Sequence, residues 1–262
     1  MPNILPLPAF SAELKRVRAA RPRLHLLTSE VVQEFSADVL LALGILPGVV
    51  VAEEEVAEFA ASADALLINL GTLNSVRLSA MRRAVAAANE AGVPWTLDPV
   101  DAGMLTYRTR ACQAFLEEKP AVVCGNPSEI ASLAGFPWDT PTSEDALEAA
   151  IQLARSLGAI VAVTGAVDFI TDGRETWATP WGHKIMTRVI GIGSALSALV
   201  AAFVPGAPNR LAAVASACAI FDLCGGRAAM RVATPISGPG SFRAAFLNEL
   251  YNLKLDEVRI LL

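Results

Sequence analysis

Charge is scarce in this chain of 262 residues: charged residues make up 18% of it and apolar ones 53%. Lysine and arginine number 21 against 26 acids, for a net charge of -5, and the basic residues form no stripe. That argues against nucleic acid as a partner, since its phosphates require a basic face. Histidine is scarcer still. His25 and His183 are the only two, and neither has a second His or a Cys at ligand spacing, so a zinc site is not expected. Cys112, Cys124, Cys218 and Cys224 form no C-x-x-C pair. Isolated cysteines among apolar neighbours read as small core residues of a reduced, cytoplasmic protein. The first ten residues lack the charged-then-apolar order of a signal peptide. No apolar run approaches the roughly 18 residues that span a bilayer; the longest, at 194–204, has the length of a buried helix. A Walker motif is also missing, because no Lys-Ser or Lys-Thr follows a glycine loop.

What is present is alternation. Wholly apolar strands are expected at 24–27, 47–51, 65–69, 94–97, 121–124 and 160–164, with amphipathic helices between them, among them 11–21, 30–43, 53–61, 75–91, 108–118, 129–134 and 144–157. Gly44 and Gly92 stand where two of those helices should stop. A hairpin is expected from 169–172 and 175–179 around Gly173, followed by helices at 194–204 and 209–230, with the segments 241–253 and 256–262 closing the chain. Strands apolar on both faces imply a mostly parallel sheet covered by helices on either side. No linker or composition shift divides the chain. The expected fold is a single α/β domain over 1–262, a three-layer α/β/α sandwich with an antiparallel hairpin at one edge.

Polar residues gather just after the strands: Asn69, Gly71 and Thr72; then Asp98, Asp101 and Gly103; then Asn126 and Glu129; then Thr164 and Asp168. A parallel sheet brings such loops to one end, where ligands bind. Asp98 and Glu129 on successive strand ends suit Mg²⁺, with substrate phosphates completing its shell. The stretch Val189–Val204 adds Gly191 and Gly193 at the start of an apolar helix, with Ser194 at the junction. Unpaired amides and the helix dipole make such a turn an anion site, and glycine lets a phosphate come close. Together these loops describe phosphoryl transfer by positioning and charge neutralisation. The same residues also permit a structural reading: Asp98 as a turn residue before Pro99, Glu129 as a helix cap, and the glycines as close packing of helix on strand. Gly191-Ile192-Gly193 is no dinucleotide fingerprint, since it lies late in the chain rather than after a first strand.

Several segments resemble the hydroxyethylthiazole kinase family, whose members are ribokinase-like. They are L-A-L-G-x-x-P and A-E-E-E-V-A (41–57), A-D-A-L-L-I-N-L-G-T-L (63–73), A-A-N-E-A-G-V-P-W-T-L-D-P-V (87–100), G-N-P-S-E-I-A-S-L-A-G (125–135), V-A-V-T-G-A-V-D (161–168), and G-P-G-S-F (238–242). The resemblance covers nearly the whole chain. It implies phosphorylation of the primary alcohol of 4-methyl-5-(2-hydroxyethyl)thiazole with ATP and Mg²⁺, in thiamine biosynthesis or salvage. It implies a homotrimer with active sites between subunits, which would suit the high apolar content. By position, Asp98 and Glu129 would serve the metal. Cys124, Asn126, Thr164 and Gly191 would face the nucleotide. Val49, Ser29, Gly71 and Gly191 would face the alcohol. Ser194, Gly191 and Gly193 would surround the transferring group.

The departures from that pattern concern the chemistry. Ser194 stands where the family carries Cys and other ribokinases an Asp base. A serine hydroxyl is too weak a base at pH 7 without help. Cys124 replaces an Arg that contacts phosphates, removing a bidentate clamp. Val49 replaces a Met that packs on the thiazole, and Ser29 and Asp38 replace family asparagines. Asp101 adds a negative charge beside the expected phosphates, which should repel them unless it is paired. These changes leave two alternatives open, a kinase of another small alcohol and a ligand-binding homologue with impaired catalysis.

Overall fold

The structure is a computed structural model, which describes residues 2–254 apart from 5, 138, 141 and 235. Its strands are β1 (Asn3–Ile4), β2 (Arg23–Leu27), β3 (Leu46–Gly48), β4 (Ala65–Asn69), β5 (Trp95–Asp98), β6 (Val122–Gly125), β7 (Ile160–Val163), β8 (Asp168–Thr171) and β9 (Thr176–Thr179). They form one sheet in the order β1-β9-β8-β7-β6-β5-β4-β2-β3. Every adjacent pair is parallel except the two that involve β8. The hairpin is therefore not the sheet edge as expected. The short β1 pairs with β9 and covers it.

Alternation along the strands feeds two cores. In β4, Ala65 and Leu67 face one layer, and Leu66 and Ile68 the other. The first layer holds α1 (Leu7–Ala20), α2 (Gln33–Ala42), α8 (Ile192–Phe203), α9 (Arg210–Arg231) and α10 (Pro239–Tyr251). The second holds α3 (Val56–Ser62), α4 (Ser75–Ala91), α5 (Thr106–Glu117), α6 (Pro127–Leu133) and α7 (Leu147–Leu157). Both faces of the sheet are covered, which is why its strands are apolar throughout.

Local signals set some boundaries well. The helix α4 starts after Asn74, whose side chain accepts from the Arg77 N–H, and stops at Gly92 with φ +72°. Elsewhere the expectation shifts. The first helix begins at Leu7 rather than Ser11, because Pro6 and Pro8 suit a helix start. The expected helix at 30–43 is a 3₁₀ turn, Glu30–Val32, followed by α2. The closing segment 256–262 lies outside the described residues.

The helix α9 was not foreseen as long and apolar enough to cross a membrane, yet by length and composition it is. However, 83% of its most apolar window is buried inside this fold. Its face carries Ala213, Ala217, Ile220 and Phe221 into the first core.

Candidate active site

The chain leaves β2 to form β3 on one side, then returns to lay β4 to β7 on the other. Ligands sit beyond the C-terminal strand ends at such a reversal. The register there aligns Asn69, the last residue of β4, with Asp98, the last of β5. Beside them stand Ser29 after β2, Gly125 ending β6, and Thr164 after β7.

A cavity of about 300 Å³ opens at this point. Asp98, Glu129, Asn126, Ser29 and Gly71 line it, and so do Cys124, Thr164, Gly191, Gly193 and Ser194. The structure thus brings ten of the expected site residues together. Val49 is the exception. It lies after β3, is 41% exposed, and does not line the cavity within one chain. Sequence reasoning missed Val31 and Ile190, which also line it although they are 64% and 73% exposed. Their only signal was being apolar, and single surface apolar residues are common.

Asn69 ties the floor together. Its Oδ1 accepts from the Gly71 N–H at 3.0 Å and the Ser29 N–H at 3.3 Å. Its Nδ2 donates to Asp98 Oδ2 and, at 3.0 Å, to Ser194 Oγ. Gly71 has to be glycine here, because a Cβ would stand 2.7 Å from the Ser29 Cβ and 3.0 Å from Asn69 Oδ1.

Both carboxylates are buried. Burial, reinforced by the Glu129 carboxylate, pushes the Asp98 pKa up to about 8, while the Asn69 amide pulls the other way. Burial also raises Glu129, although its carboxylate accepts from two backbone N–H groups, Asn126 at 2.8 Å and Asp101 at 2.9 Å. Asn126 in turn accepts from the Glu129 N–H at 2.9 Å, closing a capping box at the start of α6. The capping reading of Glu129 therefore holds, and it places the carboxylate at the cavity wall. Two buried acids at one wall, with Asp98 raised by Glu129 and Glu129 raised by burial and by Asp101, can be relieved by a cation bound beside them. Among the described residues no three His, Cys, Asp or Glu side chains cluster as a metal site. Mg²⁺ needs no such cluster, since one or two carboxylates, water and phosphate oxygens suffice.

The extra charge at Asp101 is answered. Its side chain pairs with Arg108 at the start of α5, and its backbone sits at φ +60° with the N–H aimed at Glu129. Removing that partner should expose the charge. Arg108→Gln is expected to raise the KM for a phosphate-bearing substrate about two- to fivefold with little change in kcat, as for other half-exposed ion pairs. Steady-state kinetics on the folded variant checks it. Cys124 offers no replacement for a phosphate clamp, because burial pushes its thiol pKa up and keeps it neutral.

The glycine turn behaves as two different residues. Gly191 caps α8 at φ +88°, and a Cβ there would stand 2.9 Å from Val32 Cγ1. Gly193 has nothing within 4 Å of a Cβ position and lies in the first turn of α8, where backbone N–H groups lack helical partners. On the far side of this turn lies a larger cavity of about 620 Å³, which sequence reasoning did not foresee. It shares Thr164, Gly191 and Gly193 with the first. Its walls include Met186, Val189, Leu196 and Phe221, with Asp168 and Asp222 buried beside them. It draws on the loop after β7, the 3₁₀ turn Lys184–Arg188, α8 and α9, so residues from 164 to 222 meet there. His183 caps that turn through Nδ1, and His25 is a core residue whose Nε2 meets the Val50 carbonyl at 2.8 Å.

The model of the hydroxyethylthiazole kinase family matches residues 14–256. The chain belongs to that family. It is 49% identical to the hydroxyethylthiazole kinase of Serratia proteamaculans (strain 568), over 98% of both chains. The structure of a hydroxyethylthiazole kinase protein from Pyrococcus horikoshii OT3 superposes with a TM-score of 0.88 at 39% identity, covering 96% of each chain. A ribokinase-like superfamily protein from Enterococcus faecalis V583 superposes with a TM-score of 0.69 at 14% identity, covering 95% of each chain, which shows the shared ribokinase-like fold alone. As a family member the chain is a kinase, with ATP as phosphoryl donor and a small molecule as acceptor.

Proposed function

We infer that this kinase transfers the γ-phosphoryl group of ATP to the primary alcohol of 4-methyl-5-(2-hydroxyethyl)thiazole. The observation that carries the reading is the meeting of two cavities at Gly191–Gly193. The larger, apolar one suits the nucleotide, and the smaller one, with Asp98 and Glu129, suits the reacting end. The α8 N–H groups would hold the transferring phosphoryl, favoured by the helix dipole. Asp98 and Glu129 would hold Mg²⁺, which supplies charge neutralisation on the phosphates when bound. Asn126 positions Glu129 through the capping box, and Thr164 stands at the junction with its hydroxyl on the Gly125 carbonyl at 3.3 Å. Ser29 and Gly71 shape the alcohol side, and Cys124 contributes a neutral wall.

The assembly that fits is a homotrimer. Val31, Ile190 and Val49 are exposed near the smaller cavity or at the β3 edge, where a second copy would cover them. Val49 would then reach a neighbour's alcohol site, which accounts for its absence from its own. The free, buried thiols of Cys112, Cys124, Cys218 and Cys224 suit a reducing cytoplasm, and the acidic surface suits neither nucleic acid nor an anionic membrane.

Purified protein with ATP, Mg²⁺ and the thiazole alcohol should yield the alcohol phosphate, read by mass, and EDTA should abolish the yield. Turnover of other small alcohols but not the thiazole would overturn the substrate. Light scattering reads the trimer, and a monomer that turns over at full rate would overturn the shared site.

A further inference from the structure

The assignment of Asn69 Oδ1 and Nδ2 is forced by its neighbours. Two backbone N–H groups, from Ser29 and Gly71, point at one atom of the amide, and that atom has to be the acceptor oxygen. The other atom is the NH₂ group. It has two hydrogens and two acceptors within reach, Asp98 Oδ2 and Ser194 Oγ. Ser194 Oγ is therefore an acceptor toward Asn69. That leaves its own O–H and its second lone pair unspent, and its side chain lines the smaller cavity beside Gly191 and Gly193.

A hydroxyl so fixed cannot act as a base of its own, but it can exchange one proton for another. We propose that Ser194 is a proton relay, and that Asn69 is the positioning residue that orients it. The relay rests on the reading of the smaller cavity as the acceptor site. As the acceptor's alcohol oxygen forms its bond to phosphorus, its proton passes to the free lone pair of Ser194 Oγ. The Ser194 O–H proton passes to a non-bridging oxygen of the transferring phosphoryl group. The bond from phosphorus to the bridging oxygen breaks, and its electron pair leaves on ADP. Ser194 ends as it began, so no other base is needed. Neither hydrogen of the Asn69 NH₂ moves. They hold the serine oxygen so that its two open positions face the cavity.

The test compares wild type with Ser194→Ala, Ser194→Asp and Asn69→Ala in single-turnover phosphorylation. Binding of the alcohol to nucleotide-free protein is measured alongside by calorimetry. Ser194→Ala is expected to lose about a hundredfold in rate, the scale of general acid–base help, while the alcohol Kd moves by less than about threefold. Asn69→Ala should lower the rate about tenfold with the KM for ATP unchanged. Ser194→Asp should match or exceed wild type near pH 8 and lose activity relative to wild type as pH falls through its own carboxylate range. The wild-type rate in H₂O–D₂O mixtures should curve, as two protons move together, and that of Ser194→Asp should be linear.

A wild-type rate in Ser194→Ala would overturn the relay. So would an alcohol Kd that weakens by the same factor as the rate, or a linear wild-type isotope plot. If wild type fails to phosphorylate the thiazole alcohol, the substrate assignment fails alone. The relay is then read by the same variants on ATP hydrolysis, where water is the acceptor.

Discussion

Asp98→Asn should make the nucleotide-free protein harder to unfold at pH 8 while cutting turnover at least about a hundredfold. The carboxyl stands near 8 in the folded chain against an ordinary 3.8. Between those values the folded state holds a proton that the unfolded state has released. Raising the pH through that window therefore weakens the fold, and the loss is complete above about 8. Asparagine carries no such dependence and still reaches Asn69. The variant should match wild type near pH 4 and exceed it by about 1–4 kcal/mol at pH 8, an order-of-magnitude figure for a wholly buried carboxyl. Urea unfolding across pH checks this, and a wild-type stability that stays flat from pH 4 to 8 would refute it. Mg²⁺ with nucleotide should then stabilise wild type more than the variant, because only wild type presents both acids.

Gly191→Ala carries the second large effect, and it falls on fold and chemistry together. The residue sits at φ +88°, outside the range an L side chain adopts readily, and its Cβ would meet Val32 Cγ1 at 2.9 Å. Both problems must be relieved by moving the N-terminus of α8 or the turn that carries Val32. A loss of about 2–3 kcal/mol in stability is expected. Displacement of the α8 amides should cost at least about a hundredfold in kcat, given what one misplaced donor costs elsewhere. Gly193→Ala is the internal control. Its φ is not in the left-handed region and its Cβ position is open, so its fold should hold while phosphate access narrows. Equal unfolding midpoints for the two variants would show that α8 tolerates a side chain at its cap.

The sequence is most legible where the determinants are local. β4 and α4 match their expected bounds because an apolar run, an Asn cap and a stopping glycine are all within a few residues. β1 could not be read, since two residues acquire strand character only by pairing with β9, more than 170 positions away. The site followed the same division. Asp98, Glu129, Gly191 and Gly193 were visible as residues at strand or helix ends. The pairing of Asp101 with Arg108, seven positions on, was within reach of a helix-start argument, but the sequence reading left open whether the charge has a partner. The bridge from Asn69 to Ser194 spans 125 positions and needed the fold. So did the larger cavity, which draws its walls from elements that meet only in three dimensions.

The alignment of Asn69 with Asp98 also bears on how the chain reaches its native pairing. Their neighbours Ile68 and Leu97 face the layer of α3 to α7, and the two polar side chains face the other way. Because successive side chains alternate, a slip of β5 by one residue would turn Asp98 into that apolar layer and bring Leu97 to the cavity. An unpaired carboxyl buried there costs several kcal/mol. A carboxyl placed at the cavity would thus also act during assembly, penalising every odd-numbered misalignment of the central strands.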